Sequence, residues 1–230
     1  MNNTQLKILA CFIMLIDHIG AIFFPDYFIL RLIGRLAFPI FAYLIAMGYT
    51  YTHNIKNYFR RLILFALISQ IPFYLAFKNE IGNSLYLNIF FTLFLGLLSL
   101  YFYDKLDNNI KYLSPFIFGL IAEFISTDYG LFGVLTIFLF YLFKDNFKKL
   151  VFSQIILNIL NSLSYVFIIL SENYNISIFS VQVWNECFSL FALFFIFIYN
   201  KKKGKGLKYI FYIFYPLHLL ILFLIEKLII

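Results

Sequence analysis

Apolar residues along this chain fall in long, nearly unbroken runs instead of the spaced stripes of a soluble helix. The runs cover 6–24, 29–48, 59–77, 86–103, 110–125, 129–143, 148–170, 186–200 and 207–229, with short polar connections between them. About 20 residues rising 1.5 Å each as a helix cross the roughly 30 Å hydrocarbon core of a bilayer. The pattern predicts an all-α fold, a polytopic transmembrane helical bundle of about nine spans, with residues 1–230 forming a single domain. The fifth, sixth and eighth runs are the shortest. No internal repeat, low-complexity linker or composition break divides the chain. The first run lacks a small-residue cleavage site and contains Asp17-His18, so it reads as the first span and not as a secretory signal.

Composition narrows the function classes. With 63% hydrophobic and only 13% charged residues, the chain is no ordinary soluble domain, where about a quarter of residues are charged. The loops are too short to hold a soluble catalytic or receptor domain, so any chemistry lies inside the bundle or at its rims. The two cysteines, Cys11 and Cys187, sit in apolar runs, where cysteine behaves as a small buried hydrophobe, and no redox role is assigned to them.

Charge then sets the orientation. With the N-terminus inside, the inner segments hold Lys7; Lys56, Arg60 and Arg61; Lys105 and Lys111; Lys144, Lys148 and Lys149; and Lys201, Lys202, Lys203, Lys205 and Lys208. Only Lys78 and Lys227 fall outside, and Arg31 and Arg35 lie within the second span. Such asymmetry predicts a multi-pass protein of the cell (inner, cytoplasmic) membrane, N-terminus cytoplasmic and C-terminus outside. The net charge of +7 follows from this topology and from attraction to anionic lipid, and calls for no nucleic acid. The run Lys201-Lys202-Lys203-Gly204-Lys205 has two readings, an inner-face anchor or a dock for a phosphate-bearing cytosolic ligand such as coenzyme A.

Ionisable groups inside spans are costly and by default mark function. The first span holds Asp17 and His18. The second holds Arg31 and Arg35, four residues apart and so on one helix face. All four are expected in the outer half of adjacent antiparallel helices joined by a turn at Pro25-Asp26, with Asp17 paired to Arg31 or Arg35. A structural salt bridge beside a satisfied histidine is the alternative, but it explains neither the second arginine nor the histidine. A histidine can cycle a proton near neutral pH, and guanidinium groups can hold an anionic or carbonyl-bearing ligand.

In the last span Lys208, Tyr212, Tyr215 and His218 recur along one stripe, and Pro216 leaves the Tyr212 carbonyl without its helical donor. Packing is the competing reading of the tyrosines. Gln70 before Pro72, Asn88, Thr92, and Asp128-Tyr129-Gly130 are expected near the same depth. Asp128 reads equally as a helix N-cap. Glu123 and Glu186 lie near span ends, within reach of water, and His53 is expected to be solvated. Nothing in the sequence marks a metal site.

Several strings together resemble the TraX family, named for the conjugal pilin acetylase. They are Leu6-Lys7 through Ile16-Asp17-His18, Gly34-Arg35-Leu36-Ala37-Phe38-Pro39-Ile40-Phe41, Ser69-Gln70-Ile71-Pro72-Phe73, Asn88-Ile89-Phe90-Phe91-Thr92-Leu93, Asp128-Tyr129-Gly130 with Gly133, and Phe211-Tyr212 through Tyr215-Pro216-Leu217-His218. They run in order along nearly the whole chain. The resemblance implies an integral membrane acyltransferase using acetyl-CoA as donor. In the named member the acceptor is the N-terminal amine of membrane-inserted pilin. A fainter likeness is to type-3 membrane acyltransferases, whose first span carries an arginine, ten residues, then an essential histidine. Lys7 stands here in the arginine's place before His18, on the same helix face and about 16 Å away.

The resulting expectation is acetyl transfer from cytoplasmic acetyl-CoA to an amine or hydroxyl acceptor at the outer half of the membrane, with a membrane-inserted protein or a glycan as acceptor. His18 is the expected general base, or a covalent acetyl carrier. Asp17, Arg35 and His218 are grouped with it, Arg35 helped by Arg31 supplying positive potential. Lys7, Arg31, Gln70, Asn88, Thr92, Asp128, Tyr129, Tyr212 and Tyr215 are the candidate substrate-binding residues. The alternative is a small transporter or flippase using the same charges. Against it, the sequence shows no inverted repeat and no pair of broken helices. A purely structural or assembly role stands third, because it explains the arginines and histidines poorly.

Overall fold

The structure, a computed structural model, describes residues 1–82, 86–172, 187–206 and 208–229. Glu186 lies outside these, as does the Lys208 side chain. The described residues are helical: α1 (Asn3–Phe23), α2 (Phe28–Gly34), α3 (Ala37–Tyr51), α4 (Ile55–Ile81), α5 (Ile89–Lys105), a 3-10 turn (Asn108–Leu113), α6 (Ser114–Phe124), α7 (Gly130–Leu142), α8 (Phe147–Glu172), α9 (Ala192–Ile198) and α10 (Lys208–Ile229). A parallel bridge, Leu87 to Thr127, links two loops.

Among the described residues four helical stretches are long and apolar enough to cross a membrane: Asn3–Phe23, Phe28–Tyr51, Ile55–Asn79 and Tyr209–Ile229. Over the other expected spans, α8 runs for 26 residues and α5 for 17. Helix α6 has 11 residues and α7 has 13, about 16 and 20 Å of rise against a 30 Å core. The second expected span is bent. Helix α2 ends at Gly34, and α3 resumes at Ala37 beyond the Arg35–Leu36 turn.

Large apolar side chains stay on the outside, as bilayer contact requires. On α10, Ile210, Ile213, Leu217, Ile221 and Leu224 recur at helical spacing and are exposed. The opposite face carries Tyr215, His218, Leu219 and Leu222, all buried. Inside, Leu6, Ile40, Met47, Leu62, Leu97, Phe140 and Leu219 are fully enclosed. Helix α10 packs on α1 and α4, and α3 on α1, α5 and α7. The first and last helices of the chain thereby become neighbours.

One end of the bundle is tied together by a polar clasp. The α1 start is closed by a capping box between Asn2 and Gln5. The segment Asn200–Lys205 lies over it: Asn3 N–H donates to the Lys202 carbonyl at 2.8 Å, and the Thr4 hydroxyl to the Lys205 carbonyl at 2.7 Å. Gly204 has φ +69°, and a Cβ there would press on Asn2 and Thr4 at 2.7 Å, so the clasp fits only with glycine at this turn.

Candidate functional site

A cavity of about 370 Å³ runs through the bundle between α1, α3, α4, α5 and α10. At the clasped end its wall carries four cations, Lys7, Arg61, Lys203 and Lys205. Phe41, Leu44, Leu62, Phe90 and Leu93 follow, and the far end presents Asp17, His18, Asp128, Tyr129 and Tyr215. Lys7 and His18 belong to the same helix, which sets the length of the passage at about 16 Å. At the basic end the Lys7 ammonium lies 5.4 Å over the Phe211 ring and Arg61 5.4 Å over Tyr58.

His18 and His218 meet at the far end. His18 Nδ1 is 2.7 Å from His218 Nε2, and His218 Nδ1 is 2.7 Å from the Phe214 carbonyl oxygen. The two imidazoles are coplanar within 7°. Phe77 stands edge-on to His18, and Phe214 stacks on His218 one turn back along α10. Both rings are buried, but only His18 reaches the cavity wall.

Beside this pair the two arginines divide their work. Arg31 Nη1 bonds Asp17 Oδ1 at 2.9 Å, which selects between the two pairings open in the sequence. The fit depends on Gly34, since a Cβ there would collide with the Asp17 carboxylate. Arg35 sits at the α2–α3 bend, where its charge acts on both Asp17 and Asp128. Neither arginine lines the cavity, but the Arg31 charge acts on His18 in its wall as well as on Asp17.

Asp128 is held by a contorted loop. Ser126, Tyr129 and Gly130 all have positive φ, at 53°, 64° and 40°, conformations costly for non-glycine residues and concentrated at functional sites. The loop is fastened by Asp128 N–H to the Leu87 carbonyl at 2.8 Å, by the Thr92 hydroxyl donating to the Asp128 carbonyl, and by Tyr129 stacked on Phe38. Tyr86 hydrogen-bonds the Asp128 carboxylate. Asp128 is not the cap of α7. Tyr129 occupies the N-cap position without a side-chain bond, and the Glu123 carboxylate accepts from Leu131 N–H at 3.0 Å.

Gln70 and Asn88 are drawn together away from the cavity. Asn88 Nδ2 donates to Gln70 Oε1 at 2.7 Å and to the Ala66 carbonyl at 2.8 Å. Its Oδ1 accepts from Phe90 N–H at 3.0 Å, capping α5, while Gln70 Nε2 donates to the Tyr86 carbonyl at 2.8 Å. Of the expected site residues the cavity therefore gathers Lys7, Asp17, His18, Asp128, Tyr129, Tyr212 and Tyr215. Arg31, Arg35, Gln70, Asn88, Thr92 and His218 stand behind its wall.

In the sequence Arg61, Lys203 and Lys205 count among the inner-face charges, with a docking role open for Lys203 and Lys205 and none indicated for Arg61. A signal for Arg61 exists in the register of α4. Tyr58, Leu62, Ala66, Ser69 and Phe73 form its buried stripe, and Arg61 stands between the first two members, three residues after Tyr58.

The sequence model of a family described as "TraX protein" matches residues 2–226. An uncharacterized protein of Rickettsia prowazekii (strain Madrid E) is 28% identical over 180 residues, 75% of this chain and 69% of that one. The "Probable fimbrial assembly protein FimC, serogroup H1" of Dichelobacter nodosus is 32% identical over 144 residues. That match covers 57% of this chain, which spans 58% of the fimbrial protein's length. No solved structure matches. With nearly the whole sequence aligned to its pattern, the chain belongs to the TraX family.

Proposed function

We propose that this chain is an integral membrane acetyltransferase of the inner (cytoplasmic) membrane, moving acetyl from cytoplasmic acetyl-CoA to an amine or hydroxyl acceptor that enters from the outer side. The observation carrying the reading is the passage itself: a buried histidine at one end, four cations at the other, and an apolar channel between. Phosphates of coenzyme A fit the basic rim, where Lys7, Arg61, Lys203 and Lys205 converge. The pantetheine arm fits the apolar stretch, and the thioester then lies beside His18.

His18 acts as general base. It takes the proton of the acceptor N–H or O–H as that atom attacks the thioester carbonyl, and returns it to the departing thiolate as the C–S bond breaks. Atoms balance with an acetylated acceptor and free coenzyme A as products. Water is kept from the thioester by Phe90, Leu93 and their neighbours, which also raises the effect of nearby charges on the oxyanion. The acceptor in this reading is a membrane-inserted protein or a glycan; the family affiliation and the kinship to a protein named for fimbrial assembly support the protein.

Purified protein in lipid vesicles, given labelled acetyl-CoA and a panel of amine and hydroxyl acceptors, transfers label to one of them and loses that ability in His18→Ala. Undiminished transfer by His18→Ala rejects the assignment. Substrate flux across sealed vesicles without acetyl-CoA rejects the enzyme reading in favour of a transporter.

A further inference from the structure

The geometry points to His218 as a positioning residue that locks His18 in the tautomer whose Nε2 carries the lone pair facing the cavity. This deepens the acetyltransferase reading by assigning the reacting atom.

The assignment follows from a chain of obligatory roles. The Phe214 carbonyl can only accept, so His218 Nδ1, 2.7 Å away, carries that ring's N–H. A neutral imidazole has one N–H, so His218 Nε2 is an acceptor. It faces His18 Nδ1 at 2.7 Å, and that nitrogen must therefore donate. The remaining nitrogen of His18, Nε2, is left with the lone pair. His18 lines the cavity and His218 does not, so the free lone pair is on the ring that reaches substrate.

Neutrality of the pair suits its surroundings. The rings lie among Phe77, Phe214 and Tyr215, and among the described residues no carboxylate bonds to a nitrogen of either ring. The nearby Asp17 is already joined to Arg31. An uncompensated charge in such a wall is expensive.

The relay also has a dead end. A backbone carbonyl cannot take up a proton, so a proton captured at His18 Nε2 has no onward path through His218 and must leave by the cavity, where the thiolate waits. His218 thus orients and polarises His18 without conducting. When His18 becomes transiently cationic, its Nδ1–H bond to His218 becomes charge-assisted and stronger.

The test is a spectroscopic one that does not depend on turnover. The full chain, labelled with ¹⁵N-histidine and placed in lipid vesicles, carries three histidines, and His53→Gln leaves only the buried two to assign. Nitrogen shifts are expected to show both rings protonated at Nδ1 and unprotonated at Nε2, with a coupling across the His18–His218 bond. His218→Leu releases His18 to a mixture of tautomers and lowers kcat about 10²-fold, the lower range for a misplaced general base, with KM for acetyl-CoA nearly unchanged. His218→Gln, whose amide oxygen can accept from His18 Nδ1–H, restores the single tautomer and at least part of kcat. A wild-type protein with His18 protonated at Nε2, or a His218→Leu protein with His18 shifts unchanged, overturns the inference. Should the wild type show the expected tautomers but transfer no acetyl, the acetyltransferase reading fails while the positional one stands.

Discussion

The Gln70–Asn88 cluster and the His18–His218 pair are both polar groups buried in the same apolar helices, and they differ in how their hydrogen bonds terminate. Around Asn88 the network closes on itself. The amide donates twice, its oxygen caps α5, and Gln70 finishes at the Tyr86 carbonyl. Around His18 the network runs in one direction, from His18 Nδ1 to His218 to a carbonyl, and leaves one nitrogen for whatever occupies the cavity. A closed network joins helices. An open one beside a cavity can do chemistry. In this bundle the distinction separates scaffold from candidate site better than burial does, because Asn88 is at least as enclosed as either histidine.

Four substitutions break or sharpen that contrast. The largest effect is expected from His18→Gln, which removes the open end: acetyl transfer falls about 10³-fold, within the span of general-base contributions, while the thermal midpoint stays close to wild type. A matching loss of stability would move His18 to the scaffold side. Asn88→Leu does the reverse. Loss of the α5 cap and of two interhelical bonds costs about 2 kcal/mol, read as a lower denaturation midpoint, with the surviving folded protein keeping its kcat. Next in size is Gly34→Ala, whose added methyl displaces the Asp17 carboxylate next to the open end; kcat drops about tenfold if the charge cluster acts on the reacting centre, measured at saturating acetyl-CoA. Smallest is the double change Lys203→Ser with Lys205→Ser at the opposite mouth. It raises KM for acetyl-CoA roughly threefold to tenfold, an effect that fades with added salt, and leaves kcat alone.

Much of this was legible from the order of residues. Apolar runs fixed the helical class, and the scarcity of ionisable groups within them singled out Asp17, His18, Arg31, Arg35 and His218. The expected stripe on the last span does bring Tyr212 and Tyr215 to the cavity. What the sequence left open is set by packing between distant segments. The Arg31–Asp17 pairing depends on the approach that Gly34 permits, and the bend after Arg35 carries no proline at its hinge to announce it. Asp128 looked equally like an N-cap because Ser126 and Thr127 precede it, yet the positive φ of Tyr129 turns its side chain inward and leaves the capping to Glu123. Gln70 and Asn88 share the site's depth in the sequence, and depth does not say whether two amides point at each other, as they do, or at a ligand. Charges counted for orientation, such as Lys203 and Lys205, carry no information about whether their loop lies flat on lipid or folds over a passage.

The two imidazoles are separated by 200 positions in the chain. A ribosome adding 5–20 residues per second needs roughly 10–40 s to travel from one to the other. Throughout that interval the first helix waits in the membrane with its histidine unmatched and the passage lacking the wall that α10 supplies. The His18–His218 contact therefore forms only once α10 has been made, and a product truncated before α10 lacks both the pair and that wall.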